Sequence, residues 1–439
     1  MITISKAPVH FTKQISRISL TPRFSSAVVS LNLGFGSKPK KGGGFFRLVW
    51  ADDSGDMELL NKLSRGCFSN GLKKGQKVEV ENVNGGEDIF DAASAEAEVQ
   101  PQHLVVMVNG LVGSAEDWRY GAEQFVRRLP DKVIVHRSKV NTLRLTFDGV
   151  DCMGERLAEE VISVVKRWPG LHKISFVAHS LGGLVARYAI GRLYQLSTRV
   201  ETTSQSECGS RSEANNSGHH PEQHYEARIC GLEPVNFITF ATPHLGSIGH
   251  KQLPLLCGLP FLEKSASQTA HWIAGRSGKH LFLTDEDEGK PPLLLQMVKD
   301  SDDLKFMSAL RAFKRRVAYA NANYDHVVGW RTSSIRRQHE LPKSNLLMKN
   351  EKYPHILHID HGIAEDINNK ASSTVGTGVI DLEEEMIKGL TQVPWERIDV
   401  SFQKSTQRYV AHTTIQVKSY WLNSDGADVV QHMIDNFVI

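Results

Sequence analysis

No stretch of this chain is apolar for long enough to cross a bilayer as a helix, so any membrane contact is expected to be peripheral. Cysteine is scarce. Cys67, Cys152, Cys208, Cys230 and Cys257 are odd in number and lack CxxC spacing, which argues against a disulfide framework and suits reduced thiols in an intracellular compartment. Charge of either sign is nearly balanced, and a formal net charge of +3 is too mild to imply a nucleic-acid partner. Acidic residues are absent before Asp52, while the same segment holds Lys6, Lys13, Arg17, Arg23, Lys38, Lys40, Lys41 and Arg47 with frequent Ser and Thr. No run there is apolar enough for a secretory signal core, so residues 1–50 read as an organellar transit peptide, with a disordered basic tail as the alternative.

What is present is an alternation of short apolar runs with helical patterns, which argues for a mainly parallel α/β sheet. The strand candidates are 103–108, 132–137, 172–177, 235–241, 315–320 and 397–402. The most informative segment is HKISFVAHSLGGLVAR at 172–187. Ile174, Phe176 and Val177 make a buried strand, and from Leu181 the spacing becomes helical through Leu184, Val185, Tyr188, Ala189 and Leu193. Ser180 sits where the period switches. Ala178, Gly182 and Gly183 let the two backbones approach closely, so the serine can take a strained turn that exposes its hydroxyl. A serine at that place would otherwise simply cap the helix. A second segment, HLVVMVNGLVG at 103–113, ends in Asn109-Gly110 and is followed by Ser114-Ala115-Glu116-Asp117, again strand, glycine turn and helix start.

The runs VNGLVGSAEDW, TFDGVDCMGERLAEEV, VAHSLGGLVARYAIGRLY and ITFATPHLG together resemble the lipase-like serine esterase family of plants and fungi, within the α/β-hydrolase superfamily, over residues 101–439. The resemblance implies an α/β-hydrolase fold: a mainly parallel central sheet flanked by helices, with a helical cap or lid. It also implies chain order nucleophile, acid, histidine, and an oxyanion hole formed by the backbone N–H groups of Leu111 and Leu181. Where the family usually has His before the first glycine, this chain has Asn109, a neutral hydrogen-bonding side chain able to brace the loop.

That order makes Ser180 the nucleophile, Asp325 in NANYDHVVGW the acid after a late strand, and His412 in QRYVAHTTI the base. His326 comes too early in the chain for the base and reads as a loop residue. His432 is the runner-up, but Val429, Val430, Met433, Ile434 and Phe437 put it on an amphipathic helix. Asp302, Asp303 and the run from Asp285 to Glu288 lie in charged stretches that read as solvated surface.

The remaining organisation is coarser. Residues 51–100 read as a linker, and 198–226 as a polar disordered excursion whose His219, His220 and His224 lack a second ligand cluster, so neither metal nor cofactor is expected. Residues 246–310 read as a cap or lid, since they are rich in leucine from Leu253 to Leu295; packing of those leucines on the core is the alternative. The expected activity is hydrolysis of carboxylic esters through an acyl-enzyme, with a lipid or other hydrophobic ester as substrate. A thioesterase using the same triad and a catalytically silent scaffold or receptor are the other readings. Serine richness at the front and the plant-like resemblance favour the chloroplast as location, with mitochondrion or cytoplasm as alternatives.

Overall fold

The structure is a computed structural model that describes residues 78–81, 86–90, 101–198, 225–247, 275–286, 289–343, 351–362 and 382–439. All of them belong to one unit, Lys74–Ile439. The basic segment 1–50, most of the polar excursion (199–224) and the leucines from Leu253 to Leu262 lie outside the described residues.

Eleven strands are described: β1 (Val78–Glu81), β2 (Gly86–Phe90), β3 (His103–Val108), β4 (Val133–Ser138), β5 (Lys173–His179), β6 (Tyr194–Thr198), β7 (Tyr225–Ile229), β8 (Glu233–Phe240), β9 (Arg315–Asn321), β10 (Ile356–His361) and β11 (Glu396–Val400). Nine of them form one sheet in the order β1-β2-β4-β3-β5-β8-β9-β11-β10, and β6 pairs with β7 apart from it. From β4 to β11 every neighbouring pair is parallel, while β2 joins β4 and β10 joins β11 antiparallel. Parallel strands need covering on both faces, and the side chains of β3 divide accordingly. Leu104, Val106 and Val108 enter one core and Val105 and Met107 the other.

The helices supply those two layers. On the second face lie α1 (Arg119–Arg128) and, at the end of the chain, the helix Ala427–Asp435, through Phe125, Val126, Val429 and Met433. The first face carries α2 (Val150–Arg167) and α3 (Leu181–Leu193). The buried residues Met153, Leu157, Val161 and Val164 follow the helical repeat of α2. The intervening helices are α4 (Leu293–Gln296), α5 (Phe306–Ala312), α6 (Trp330–Ser334), α7 (Leu382–Leu390), α8 (Ala411–Thr414) and α9 (Tyr420–Asn423), and Ala427–Asp435 is α10. Strand order, parallel pairing and helices on both faces are those of the α/β-hydrolase fold.

One region differs from the sequence-based expectation, and a second bears on a choice the sequence leaves open. The stretch 51–100 is not all linker, because β1 and β2 extend the sheet beyond β4. Their sequences, VEVE and GEDIF, are too acidic to announce themselves as strands. In the region read as a lid or as packing on the core, Leu283, Leu294, Leu295 and Phe306 are buried in the first core, as the second reading has it for these residues.

A buried charge cluster fastens β2 to the rest. Asp88 lies directly opposite His136 of β4, and their side chains meet at 2.6 Å. The other ring nitrogen of His136 faces Glu160 of α2 at 3.3 Å, and Asp88 is further held by Arg167 at 3.0 Å and by the Trp168 indole N–H at 3.1 Å. Burial opposes charge on the His136 imidazole, but the hydrogen bonds and charges of Asp88 and Glu160 outweigh it and raise the pKa to about 9. A raised imidazole pKa stabilises the fold fully below the unfolded value of 6.5, and that contribution is lost as pH rises through about 9. Urea unfolding should therefore show stability declining over that window. Replacing His136→Gln should cost about 3 kcal/mol at low pH and flatten the decline; an unchanged slope in the variant would show that the cluster is not the source.

Candidate active site

The parallel register lines up the carboxyl ends of the central strands, with Val108 beside Ala178, His179 beside Phe240, and Asn321 beside Val400. The loops that leave these ends meet along one edge of the sheet, where open α/β sheets place their ligands. At the end of β5 the chain turns into α3 through Ser180, which has φ 54° and ψ −130°. That conformation costs a residue with a side chain on the order of 1–3 kcal/mol, so its surroundings must impose it. The Ser180 N–H donates to Phe240 O of the adjacent strand at 2.8 Å, and Ser180 O accepts from the Gly183 N–H at 3.1 Å. Two close approaches complete the bend. A side chain at Gly182 would collide with the carbonyl oxygens of Val108 and Asn109, and one at Gly183 with Thr242. Gly110 lies against Ser180 from the other side, since a Cβ there would stand 2.8 Å from Ser180 Cβ.

The structure brings Ser180, His412 and Asp325 together. Asp325 Oδ2 accepts the Nδ1–H of His412 at 3.0 Å, which leaves Nε2 unprotonated to accept the Ser180 hydroxyl, also at 3.0 Å. Asp325 sits in the turn after β9, with its other oxygen accepting the N–H groups of Val327 and Val328 at 2.9 Å each, and Asn321 Nδ2 donating to Oδ2 at 2.9 Å. Burial would push its carboxyl up. The His412 charge and these hydrogen bonds outweigh that and hold the pKa below the ordinary carboxylate value, so the group stays ionised. His412 rides on the one-turn helix α8, not on an open loop.

Both groups in the oxyanion expectation keep a backbone N–H with no recorded protein partner among the described residues. Leu181 is the first residue of α3, where helix N–H groups have no intrahelical acceptor. In the loop after β3, Val112 donates to Thr146 Oγ1 at 2.9 Å and Gly113 to Gly110 O at 3.0 Å, while the Leu111 N–H between them has no protein acceptor among the described residues. Asn109 braces this loop, its amide donating to Asn141 O at 2.9 Å and Gly110 O at 3.1 Å.

The competing residues lie elsewhere. His432 is buried on α10 against the Tyr319 hydroxyl at 2.8 Å, and burial pushes its pKa down to about 4. His326 is exposed, as are Asp302 and Asp303, and Asp285 accepts the Leu293 N–H at 2.8 Å. A cleft of about 580 Å³ lined by Asp151, Tyr188, Arg276, His280 and Phe306 is separate from the three residues, none of which lines it. Among the described residues no group of three His, Cys, Asp or Glu is placed to hold a metal.

Residues 98–335 match the family described as "Putative serine esterase (DUF676)". The chain belongs to this serine esterase family. Relatives of the family member described here include "Putative lipase ROG1" of Saccharomyces cerevisiae, 30% identical over 53% of this chain and 28% of the relative. "Putative lipase C4A8.10" of Schizosaccharomyces pombe is 26% identical over 63% and 31%. The matched region thus spans about three tenths of those relatives' length. Among solved structures, the Bacillus licheniformis lipase BlEst2 in its propeptide form is similar over 55% of this chain and 40% of that one, with 18% identity and a TM-score of 0.31. At that score the strand order, not the likeness, carries the fold assignment.

The sequence assigned no contact to two features of this family member. His179, beside the serine, donates Nε2–H to the backbone carbonyl of His412 at 2.7 Å, with ring centroids 4.7 Å apart. Burial first, and the neighbouring His412 second, hold its pKa well below the ordinary imidazole value, so it stays neutral. It ties the histidine segment to the bend. ATPHLG lies behind α3: Thr242 abuts Gly183, and the buried Arg187 donates to His244 O at 3.4 Å and Met297 O at 3.0 Å. Neither interaction has a local signature, because each partner lies far away in the chain. Gly182→Ala should displace the Val108–Asn109 carbonyls from the bend and lower kcat/KM for an ester about 100-fold while circular dichroism stays native. Activity within about twofold of wild type would mean that this close approach does not set the geometry.

Proposed function

We propose that this protein hydrolyses carboxylic esters, acyl lipids foremost, with Ser180 as nucleophile, His412 as general base and Asp325 as the group that orients the imidazole. The observation that carries the reading is the pair of 3.0 Å contacts joining Asp325, His412 and Ser180. His412 Nε2 takes the hydroxyl proton as Ser180 Oγ attacks the ester carbonyl, and the ionised Asp325 stabilises the imidazolium. The oxygen of the tetrahedral intermediate is received by the N–H groups of Leu111 and Leu181, assisted by the positive end of α3. The imidazolium then gives its proton to the leaving alcohol. Water, deprotonated by the same histidine, cleaves the acyl-enzyme and regenerates the serine.

An acyl chain as the substrate's other half is supported by the apolar rim of the oxyanion loop. Val112, Leu143 and Leu145 are large hydrophobic residues left exposed, and the Leu143 N–H holds that turn to Gly113 O at 3.0 Å. Membership of a serine esterase family and the lipase names of its relatives point the same way.

Purified protein should release p-nitrophenol from acyl esters and react with a fluorophosphonate probe. Ser180→Ala should lose labelling and drop kcat/KM by at least about 10⁴-fold. Asp325→Asn should retain labelling sites but lose on the order of 10⁴ in kcat, since the imidazole would no longer be held in the acceptor tautomer. Turnover unchanged in Ser180→Ala would contradict the assignment.

A further inference from the structure

The most exposed large apolar side chain among the described residues is Trp421, at 85% of its full surface, on the one-turn helix α9. Tyr420 and Leu422 beside it are exposed as well, and so are Tyr409 and Val410 in the turn that leads into α8. Exposed apolar side chains scattered singly need no explanation, but five gathered on one surface mark an interaction site.

This surface is physically continuous with the site. Asn423 at the end of α9 donates to Thr413 Oγ1 at 3.2 Å and Thr414 Oγ1 at 3.0 Å, the two residues after His412. Arg408 stacks over the rings of Tyr409 at 4.7 Å and Tyr324 at 5.7 Å, and Tyr324 precedes Asp325 in the chain. Tyr420 rests on Tyr120 with ring centroids 5.2 Å apart, which fixes the orientation of α9.

Its charge is one-sided. From Ser401 to Ser424 the chain has Lys404, Arg408 and Lys418 and no acidic residue. Lys418 is paired with Asp117 at 3.1 Å, but Lys404 and Arg408 have no carboxylate partner recorded among the described residues. Asp425, the next acid, is engaged by the Ser405 hydroxyl. Tryptophan and tyrosine favour the headgroup level of a bilayer, where an apolar ring and a polar edge are both accommodated, and unpaired cations beside them are attracted by anionic headgroups.

We propose that the surface formed by Tyr409, Val410, Tyr420, Trp421 and Leu422, with Lys404 and Arg408, docks the protein on an anionic lipid bilayer and brings the Ser180 site to acyl chains there. The inference rests on the acyl-lipid reading above for its purpose, but not for its measurement. The anchors are short and lie on the surface, so the contact is peripheral and reversible.

The test is sedimentation of the full chain with vesicles of phosphatidylcholine alone and of an equimolar mixture with phosphatidylglycerol. Wild type should partition onto the mixed vesicles and be released by salt. The pair Trp421→Glu and Leu422→Glu should weaken that partitioning at least about tenfold, and the pair Lys404→Glu and Arg408→Glu should remove the preference for phosphatidylglycerol. The basic N-terminal segment is common to all of these proteins, so their differences report on the patch. Hydrolysis of a soluble short-chain ester should stay at the wild-type rate in every variant, while hydrolysis of vesicle-borne ester falls with binding. Equal sedimentation of the Trp421→Glu, Leu422→Glu protein would overturn the proposal. So would a vesicle-free dimer, seen by light scattering, that the same pair dissociates, because a second copy would then be the occupant. Wild type that sediments with vesicles but hydrolyses neither ester would leave docking standing and overturn the esterase reading instead.

Discussion

Ser180 is held in a backbone conformation that a free peptide avoids, and most of the molecule is arranged so that it has no alternative. The bend survives because β5 lies between β3 and β8 in parallel register, so Phe240 O is in place for the serine N–H and the end of β3 presses against Gly182. The same register brings the turn after β9 and the short helix after β11 to the bend from the far side. A local strain of a few kcal/mol is supportable only within a sheet buried on both faces, where β3 alone contributes side chains to two cores. The order of dependence is therefore clear. Packing sets the register, the register sets the bend, and the bend sets the hydroxyl.

The polar groups around the bend form a closed chain. Asn321 and two backbone N–H groups hold Asp325, Asp325 holds His412, and His412 receives the serine hydroxyl. His179 adds a tether between the two ends of that chain by bonding the backbone that carries His412. The Asp325 carboxylate can only accept, so Nδ1 of His412 carries the proton and the imidazole tautomer follows from the geometry. Such an arrangement needs little reorganisation when charge develops, and electrostatic catalysis depends on that economy.

Much of this could be read from the chain before any coordinates. Strands β3, β4, β5 and β8 announce themselves because they are buried on both sides and carry branched or aromatic apolar residues on both faces, while β9 and β11 show shorter apolar runs, in RRVAYAN and ERIDV. Ser180 stands out because the hydrophobic period changes at it, and Asp325 and His412 follow from chain order after a strand. Strands β1 and β2, at the end of the sheet, do not announce themselves, because VEVE and GEDIF carry acidic residues and no apolar run. What attaches β2 is Asp88 opposite His136, a long-range pair that composition cannot reveal. The leucines of α4 were open to two readings for the same reason: apolar content tells that a segment is buried, not against what.

A crystal structure of the protein reacted with an alkyl phosphonate would probe the central claim most directly, because the adduct freezes the tetrahedral geometry. The account predicts phosphorus bonded to Ser180 Oγ with its leaving group expelled, His412 Nε2 within hydrogen-bond reach of Ser180 Oγ or the retained alkoxy oxygen, and the phosphoryl oxygen facing the N–H groups of Leu111 and Leu181. A phosphonate on another residue, or a phosphoryl oxygen turned away from both N–H groups, would contradict it.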